Sequence, residues 1–247
     1  MKIQGNTILI TGGNSGIGKS LALKLHEAGN KVIVTGRRTA PLDELATTAP
    51  GIAAYVLDVR DAAQIQDFAR RVVTDHPGLN VLVNNAGIMR TEDAAAERDL
   101  GDAEETVITN LLGPIRLTNA LIGHLLGKAN AAIVNVSSGL AFVPLAAAPT
   151  YSATKAAIHS YSVALRVKLR GKVEVIEVVP PGIRTELTPG QSQREHFMPL
   201  DQYIEETMAL LQGHPTPGEI LVDRVKFQRW AEADGRFDKA LATLNGG

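Results

Sequence analysis

The chain contains 247 residues, of which 45% are hydrophobic and 21% are charged, and its formal net charge is −1. This length allows one substantial buried core, and no linker rich in Pro, Gly or Ser divides the sequence, so we expect a single domain over 1–247. The balanced charge and the lack of a long Lys/Arg run argue against a nucleic-acid partner. Because the sequence has no cysteine, it can form neither disulfides nor thiolate metal or redox sites.

Membrane proteins and metalloproteins are also disfavoured. The sequence has no apolar run long enough to span a bilayer and no signal-peptide core near its start, which predicts a cytoplasmic protein without a membrane partner. Its six histidines are scattered without metal-ligand spacing, and His26, His124 and His159 fall in helix-like stretches. We expect these three to be surface or packing residues, and we predict no metal site.

The first predicted unit is a strand, a glycine turn and a helix. N-T-I-L-I-T at 6–11 is typical of a buried strand, and G-G-N-S-G-I-G leads from it into the amphipathic stretch 19–28. Gly12 allows a tight turn, Gly16 allows the backbone to approach a pyrophosphate, and Gly18 allows the helix to pack closely on the strand. The free amides and positive dipole end of the helix would face the phosphates. A tight turn without a ligand can use glycine in the same way.

Strand-like and helix-like segments continue to alternate as far as residue 179. This alternation predicts an α/β protein with a doubly wound Rossmann fold, in which helices cover both faces of a parallel sheet of six or seven strands. Ligands of such sheets bind beyond the carboxyl ends of the strands. The later predicted strands cover 31–35, 52–57, 81–84, 131–137 and 172–179, and the later predicted helices cover 41–48, 62–75, 102–127 and 150–170.

The end of the second strand indicates the choice of dinucleotide. A carboxylate at this place would bind the ribose 2′-hydroxyl of NAD, but the sequence has Gly36, followed by Arg37 and Arg38. A guanidinium at Arg37 can bind a 2′-phosphate in bidentate fashion. The sequence therefore favours NADP over NAD, and the alternative is a solvated arginine pair on a loop.

Candidate catalytic residues lie around the start of the helix at 150–170. Tyr151 and Lys155 are four positions apart, which places them on one face of a helix, and Ser138 ends the preceding strand. A free tyrosine titrates near ~10, and a nearby cation lowers that pKa, so Tyr151 could serve as a general acid/base. Ser138 would donate a hydrogen bond to the substrate oxygen. This is the residue set of a hydride-transfer site, although Tyr-x-x-x-Lys alone is frequent on helices.

A proline inside the long helix at 102–127 predicts a kink. Pro114 has no N–H, so the main-chain carbonyl of Asn110, four residues earlier, loses its helical donor. The carbonyl then needs another partner, which a water could provide. The alternative is a kink that only shapes helix packing.

Together these motifs resemble the short-chain dehydrogenase/reductase superfamily, in its compact single-domain branch. The resemblance covers residues 6 to about 187, and every motif stands in family order. The motifs are T-G-G-N-S-G-I-G at 11–18, N-N-A-G at 84–87, Asn110, Ser138, Tyr151, Lys155 and P-G-I-R-T at 181–185. More loosely, the run at 198–208 and the ending resemble the bacterial subgroup that includes the D-alanine-transfer-operon oxidoreductase.

The resemblance implies an NADP(H)-dependent oxidoreductase acting on a carbonyl or secondary alcohol. It assigns catalysis to Asn110, Ser138, Tyr151 and Lys155, with Asn110 holding a water of the proton relay. It assigns cofactor binding to Gly12, Asn14, Ser15, Gly16, Ile17, Gly18, Arg37, Arg38, Asp58, Val59, Asn85, Ala86, Gly87, Tyr151, Lys155, Pro181, Gly182, Ile183 and Thr185.

Several alternatives remain open. Asp58 could cap the helix that begins near residue 61 instead of meeting the adenine, Asn85 could brace the strand end, and 181–185 could be a simple Pro-Gly turn. At the level of function, a nucleotide-sensing regulator on the same fold would bind the cofactor without turnover. An epimerase or dehydratase that recycles its cofactor is a further enzymatic alternative.

The substrate side is the least informative part of the sequence. Apolar runs at 139–145 and 197–200 would line a pocket for a nonpolar substrate, and we expect a lid over 186–215, with 188–196 as its mobile part. The substrate itself stays unknown.

The chain after the predicted lid departs from the family pattern. It shows no clear seventh strand, which puts in doubt the subunit interfaces that relatives build there. We therefore expect a homodimer through the helices at 102–127 and 150–170, because small residues on the second helix permit close approach.

Overall fold

The computed structural model describes residues 1–213 and 215–246. Two residues of the predicted domain lie outside the described residues, namely His214, within the predicted lid, and Gly247. The sheet has seven parallel strands in the order β3-β2-β1-β4-β5-β6-β7, which confirms the predicted doubly wound fold. The strands are β1 (Thr7–Thr11), β2 (Lys31–Gly36), β3 (Ala53–Val56), β4 (Leu79–Asn84), β5 (Ala132–Val136), β6 (Glu174–Val178) and β7 (Glu219–Ile220).

Helices cover both faces of this sheet because its strands are apolar on both sides. In β1, Ile8 and Ile10 belong to one buried cluster and Leu9 to a second cluster on the opposite face. The helices α1 (Gly16–Glu27), α2 (Thr39–Thr48) and α7 (Leu200–Leu211) pack on the first face. The helices α3 (Ala62–Asp75), α5 (Gly113–Leu126) and α6 (Pro149–Lys168) pack on the second face. The remaining helices are α4 (Gly101–Val107), α8 (Lys226–Arg229) and α9 (Phe237–Asn245).

Helix α3 shows how the sequence produces this packing. The Asp61 side chain accepts hydrogen bonds from the backbone amides of Ala63 and Gln64, which caps the helix and satisfies two of its free donors. Ile65 and Phe68, one turn apart, are buried in the core of the second face. Each such side chain contributes about 1.5–3 kcal/mol on burial.

The predicted helix at 102–127 is continuous in the chain but contains a π-helical turn, Ile108–Leu112, between α4 and α5. The Gly113 N–H donates to the carbonyl of Ile108, five residues earlier. Pro114 occupies the first turn of α5, where its missing N–H is tolerated. The predicted irregularity near Asn110 is therefore confirmed, and its form is a π turn.

The seventh strand is present, but only two residues long. Glu177 and Val179 donate their backbone amides to the carbonyls of Gly218 and Ile220, which adds β7 to the edge of β6. Two residues are too few to show strand periodicity in a sequence. After β7 the chain forms α8 and α9, where Ala231 and Ala240 pack on Val143 in a small separate core.

The predicted lid region combines an irregular loop with a core helix. Met198 pairs with Ile183 in an isolated parallel bridge, and Tyr203 and Ile204 of α7 are buried against the first face of the sheet. The mobility of residues 188–196 stays a prediction. No helix among residues 1–213 and 215–246 is long and apolar enough to cross a membrane.

Candidate active site

Helix α6 places Tyr151 and Lys155 one turn apart beside the end of β5. Both side chains are buried, and the Lys155 Nζ lies 5.5 Å from the centroid of the tyrosine ring. The same Nζ donates a hydrogen bond of 2.9 Å to the carbonyl of Val136, the last residue of β5. Ser138, two residues further on, has its hydroxyl beside the Tyr151 phenol, where it lowers the phenol pKa. The structure thus brings the three predicted residues together.

Burial dominates the protonation of this group. It raises the pKa of Tyr151 to about 12, and the Ser138 hydroxyl opposes that shift. Burial also lowers the pKa of Lys155 to about 8, against an opposing effect from Glu177. Lys155 is thus charged at neutral pH, while Tyr151 holds its proton. The sequence predicts a tyrosine pKa lowered by Lys155, and this is wrong for this structure, because burial of the phenol raises its pKa instead.

Asn110 joins this group through the π turn. Its side-chain oxygen accepts from the backbone amide of Ile88 and its amide nitrogen donates to the carbonyl of Ile88, both at 2.9 Å. A Cβ placed on Gly87 would lie 3.3 Å from the Asn110 oxygen and 3.7 Å from the Lys155 Nζ. Gly87 therefore lies between two predicted catalytic side chains, and the fourth predicted residue lies with the other three.

Two glycines of the motif after β1, Gly12 and Gly18, are packed too tightly to carry a side chain. Gly12 has φ +65°, and a Cβ there would lie 2.9 Å from the Ala86 Cα. A Cβ on Gly18 would lie 2.3 Å from the Gly12 carbonyl oxygen. Ser15, the residue before α1, makes no side-chain cap bond, so its hydroxyl leaves the first amides of the helix available to an anion.

Other predicted cofactor residues surround this turn. A Cβ on Gly16 would lie 3.7 Å from the Thr185 side chain, so the two motifs lie next to each other. Ile17 packs against the core of the first sheet face. The Asn14 side chain fills the space beside Gly36, because a Cβ on that glycine would lie 2.6 Å from it.

Asn85 acts as a brace, as one of the two alternatives expected. Its side-chain amide donates to the carbonyl of Thr11 at 2.9 Å, and the Thr11 hydroxyl accepts from the backbone amides of Asn85 and Ala86. These bonds tie the end of β4 to the start of the glycine turn. Thr11 begins the motif at 11–18, but the sequence analysis assigned no role to its hydroxyl.

The arginines near the end of β2 belong to a larger charged cluster. Glu105 of α4 forms ion pairs with Arg37 at 3.3 Å, Arg60 at 2.7 Å and Arg90 at 3.6 Å. Arg60 also binds the carboxylate of Asp58, and that hydrogen bond holds the pKa of the carboxyl below its usual range. We call these five residues the arginine cluster. Its excess of cations suits a phosphate.

Three predicted cofactor residues near this cluster, Asp58, Val59 and Arg38, differ in their surroundings. Asp61, not Asp58, caps α3, so the capping alternative for Asp58 is wrong. Val59, which follows Asp58, is buried against Gly113. Arg38 is exposed at the start of α2.

Residues of the predicted lid hold the 181–185 segment in place. The Gln191 side chain donates to the carbonyl of Ile183 at 2.8 Å and to the Thr185 hydroxyl at 3.3 Å. Gly182 lies against the ring of Phe197, since a Cβ there would lie 2.9 Å from it. Pro181 precedes this contact and is half-buried. Two segments predicted for different roles therefore pack on each other.

A charged group that the sequence did not predict lies behind α6. His159 Nδ1 is 2.8 Å from a carboxylate oxygen of Glu177, which is fully buried. Ligand atoms of His159, Glu177 and Glu219 lie within 4.8 Å of one another, yet Arg229 binds both oxygens of Glu219. We interpret this as an ion-pair network. Its members come from α6, β6, β7 and α8, so no sequence spacing could reveal it.

Comparison with known proteins agrees with the geometry. Residues 6–196 match the family described as short chain dehydrogenase. The chain belongs to the short-chain dehydrogenase family. It is 46% identical over 190 residues to the oxidoreductase DltE of Bacillus subtilis, covering 76% of this chain and 75% of that protein. This likeness confirms the predicted subgroup.

Two further relatives of this short-chain dehydrogenase carry NADP in their descriptions. The NADP-dependent 3-hydroxy acid dehydrogenase YdfG of Shigella flexneri is 32% identical over 178 residues, 71% of each chain. A short chain dehydrogenase of Burkholderia cenocepacia, solved in complex with NADP, is 25% identical, has a TM-score of 0.82 and covers 99% of both chains. The fold and the enzyme class of this chain follow from these likenesses.

The face predicted for dimerisation is exposed on α6. Ala153, Ala156, Ser160 and Ala164 are exposed, and so is Val167, at 63%. Ala157, the other small residue on this helix, is half-buried. A groove separates this side of α6 from α4 and the π turn. Its lining residues are Val107, Leu111, Pro149, Thr150, Ala153 and Thr154. The dimer stays a prediction.

Proposed function

We propose that this short-chain dehydrogenase is an NADP(H)-dependent oxidoreductase that transfers a hydride between nicotinamide and a carbonyl or secondary alcohol, with Tyr151 as general acid/base. The observation that carries the proposal is the buried meeting of Tyr151, Lys155 and Ser138 at the carboxyl end of β5. Ligands of doubly wound sheets bind at this edge. Titratable groups whose pKa values are strongly shifted by burial at such an edge are candidates for chemistry.

The protonation state of Tyr151 defines its role when a carbonyl is reduced. Because burial raises the pKa of Tyr151 to about 12, the phenol carries its proton at neutral pH. It can therefore donate that proton to the oxygen of a carbonyl as the carbon is reduced, while Ser138 donates a second hydrogen bond to the same oxygen. The bound nicotinamide would supply the hydride. Lys155 and Asn110 would return a proton to Tyr151 from solvent.

NADP is favoured over NAD by two features of the β2 end. The Asn14 side chain closes the space at Gly36 where a carboxylate for the ribose 2′-hydroxyl would stand. The arginine cluster begins at the next residue, and Arg37 can turn from Glu105 to a 2′-phosphate. The remaining predicted residues of the cleft would bind the phosphates, ribose and carboxamide, with the glycine turn at the start of α1 binding the pyrophosphate.

The substrate class that we propose is a carbonyl compound with a nonpolar body. Phe142 and Phe197 come from the two apolar runs predicted as pocket walls, and the second ring packs directly on Gly182 of the cleft. We propose that residues 188–196 close over this substrate. We also propose that the chain forms a single catalytic domain and acts in the cytoplasm.

The test is turnover of a carbonyl panel with NADPH, followed at the nicotinamide absorbance, with Tyr151→Phe as the matched variant. Tyr151→Phe should lose turnover by at least about a hundredfold, at the lower range for a lost general acid, while NADPH affinity changes little. Activity within a few-fold of wild type would move the proton transfer to another group. Tight NADPH binding without turnover on any carbonyl would instead favour the nucleotide-sensing regulator.

A further inference from the structure

Four polar side chains form a row across the buried sheet. Asn84, Asn135 and Glu177 are neighbours in register on β4, β5 and β6, and Glu177 is in register with Glu219 on β7. Asn84, Asn135 and Glu177 project toward the face that α5 and α6 cover, since the strand residues two positions earlier belong to that core. The helices and α8 supply one hydrogen-bond partner to each, namely Thr118, Ser162, His159 and Arg229.

Glu177 is the one carboxylate of this row that lies fully inside the core. Its carboxylate is 0% exposed, and one oxygen accepts from His159. The other oxygen, Oε1, has no hydrogen-bond partner in the described part of the chain. A buried carboxylate is costly unless a cation compensates it. Arg229 binds Glu219, and His159 binds one oxygen of Glu177, so the Oε1 side of Glu177 is left for a second cation.

Lys155 is placed to be that cation. On α6 it lies one turn before His159, so both side chains point toward the same part of the sheet. Its Nζ donates to the Val136 carbonyl, and Val136 is in register with Val178, the residue after Glu177. An ammonium has three donors, and this carbonyl is its one protein acceptor among the described residues. Lys155 and Glu177 are thus two buried groups of opposite charge beneath α6, and each has hydrogen-bonding capacity that the described residues leave unused.

We propose that Glu177 is a positioning residue for the catalytic group: its carboxylate, held by His159, supplies the counter-charge that keeps the Lys155 ammonium protonated and in place behind Tyr151. The proposal rests on the proposed function for its catalytic consequence. The charge relation itself does not depend on turnover. His159 acts indirectly, by fixing the orientation of the carboxylate.

The electrostatic directions agree with this geometry. Burial lowers the pKa of Lys155 to about 8, and Glu177 raises it. The pKa of His159 is raised, chiefly by its hydrogen bond to Glu177, with Glu219 also raising it and Arg229 lowering it. Lys155 loses its charge as the pH rises through its pKa. Removing the Glu177 charge should therefore bring that loss to lower pH.

The decisive variant is Glu177→Gln, which keeps the shape and an acceptor for His159 but removes the charge. The Lys155 pKa, followed by carbon-13 NMR of lysine-labelled protein and assigned with Lys155→Met, should fall by about one unit, the low end for an opposite charge within a few ångströms. The alkaline limb of the pH profile of turnover should move down by the same amount. The ratio of wild-type to variant turnover should therefore rise with pH and be smallest at a pH well below both limbs.

Three controls separate charge from packing. Glu174→Gln makes the same change at the exposed start of β6 and should leave Lys155 unaltered. His159→Gln breaks the same contact but leaves the carboxylate charged, so the Lys155 pKa should stay close to wild type. The pKa of His159 must fall in Glu177→Gln, which shows that the charge was removed.

The outcomes that overturn the proposal are distinct from failure of the proposed function. A fall in the His159 pKa without a fall in the Lys155 pKa refutes it, as do equal shifts in Glu177→Gln and His159→Gln. If Glu177→Gln does not fold, Glu177→Asn repeats the test, since the sheet already accommodates asparagine at Asn84 and Asn135. Absence of turnover in wild type would refute only the function, because the NMR titration still measures the charge relation.

Discussion

Arg37→Ala is the sharpest test of cofactor choice. The Arg37 side chain is 43% exposed, and its ion pair is a 3.3 Å contact with Glu105. An exposed pair of this kind contributes about 0–1 kcal/mol, so its loss should leave the fold intact. A charge-assisted contact with a 2′-phosphate is worth about 1.5–3 kcal/mol. Arg60 and Arg90 remain to attract the phosphate, so we expect a loss of about 2 kcal/mol, in the middle of that range.

This loss corresponds to a roughly 30-fold weaker Kd for NADPH, since about 1.4 kcal/mol is tenfold. The Kd for NADH should change less than about threefold, because NADH has no 2′-phosphate. Both values can be measured by fluorescence titration of the bound nicotinamide. Arg70→Ala, which removes an equal charge on the exposed face of α3, is the matched control and should alter neither Kd.

Glu105→Gln provides a test of opposite sign. Glu105 pairs with three arginines, so removing its charge frees cations for the phosphate and should tighten NADPH binding several-fold while sparing NADH. An equal rise in the Kd values for NADPH and NADH in Arg37→Ala would refute the proposed contact of Arg37 with the 2′-phosphate. The same contact is also refuted if Arg37→Ala behaves like Arg70→Ala, which would leave Arg37 as a solvated surface residue.

Three other predictions concern the remaining parts of the site. Lys155→Met should lose turnover and also weaken cofactor binding; retained affinity would refute only its contact with the ribose. Pro114→Ala, which restores an N–H near Asn110, should slow turnover more than it changes NADPH affinity or Tm, and an unchanged rate would remove the π turn from the proton relay. Equilibrium sedimentation should give a dimer that Val167→Glu dissociates, whereas a monomer mass for wild type would exclude the α6 interface.

Most of the fold was predictable because its signals are local. The strand, glycine turn and helix at the start of the chain follow from residue type and spacing within about twenty positions, and the alternation of segments follows from periodicity. The two-residue β7 was missed because pairing with β6, not its own sequence, makes it a strand. The π turn was anticipated only as a kink, since Pro114 marks the place of an irregularity without specifying the hydrogen bonds that replace the helical ones.

The candidate site was predictable where its residues share an element. Tyr151 and Lys155 are one turn apart on one helix, so their meeting follows from the sequence alone. The partners that set their environment come from elsewhere in the chain. Glu177 lies 22 positions after Lys155 in the sequence, and Arg229 lies far beyond both. Their proximity depends on the order of the strands, which no local pattern specifies.

The pKa values of Tyr151 and Lys155 depend more on their burial than on their spacing along α6. The spacing of Tyr151 and Lys155 predicts a cation that lowers the phenol pKa, but burial acts on both groups and opposes it, raising one pKa and lowering the other. A buried ammonium can help a buried phenol only if it keeps its own proton. That requirement calls for a negative charge in the same desolvated region, and Glu177 is the fully buried carboxylate that the sheet places there. On the proposal made above, Glu177 therefore belongs to the candidate site together with the motif residues.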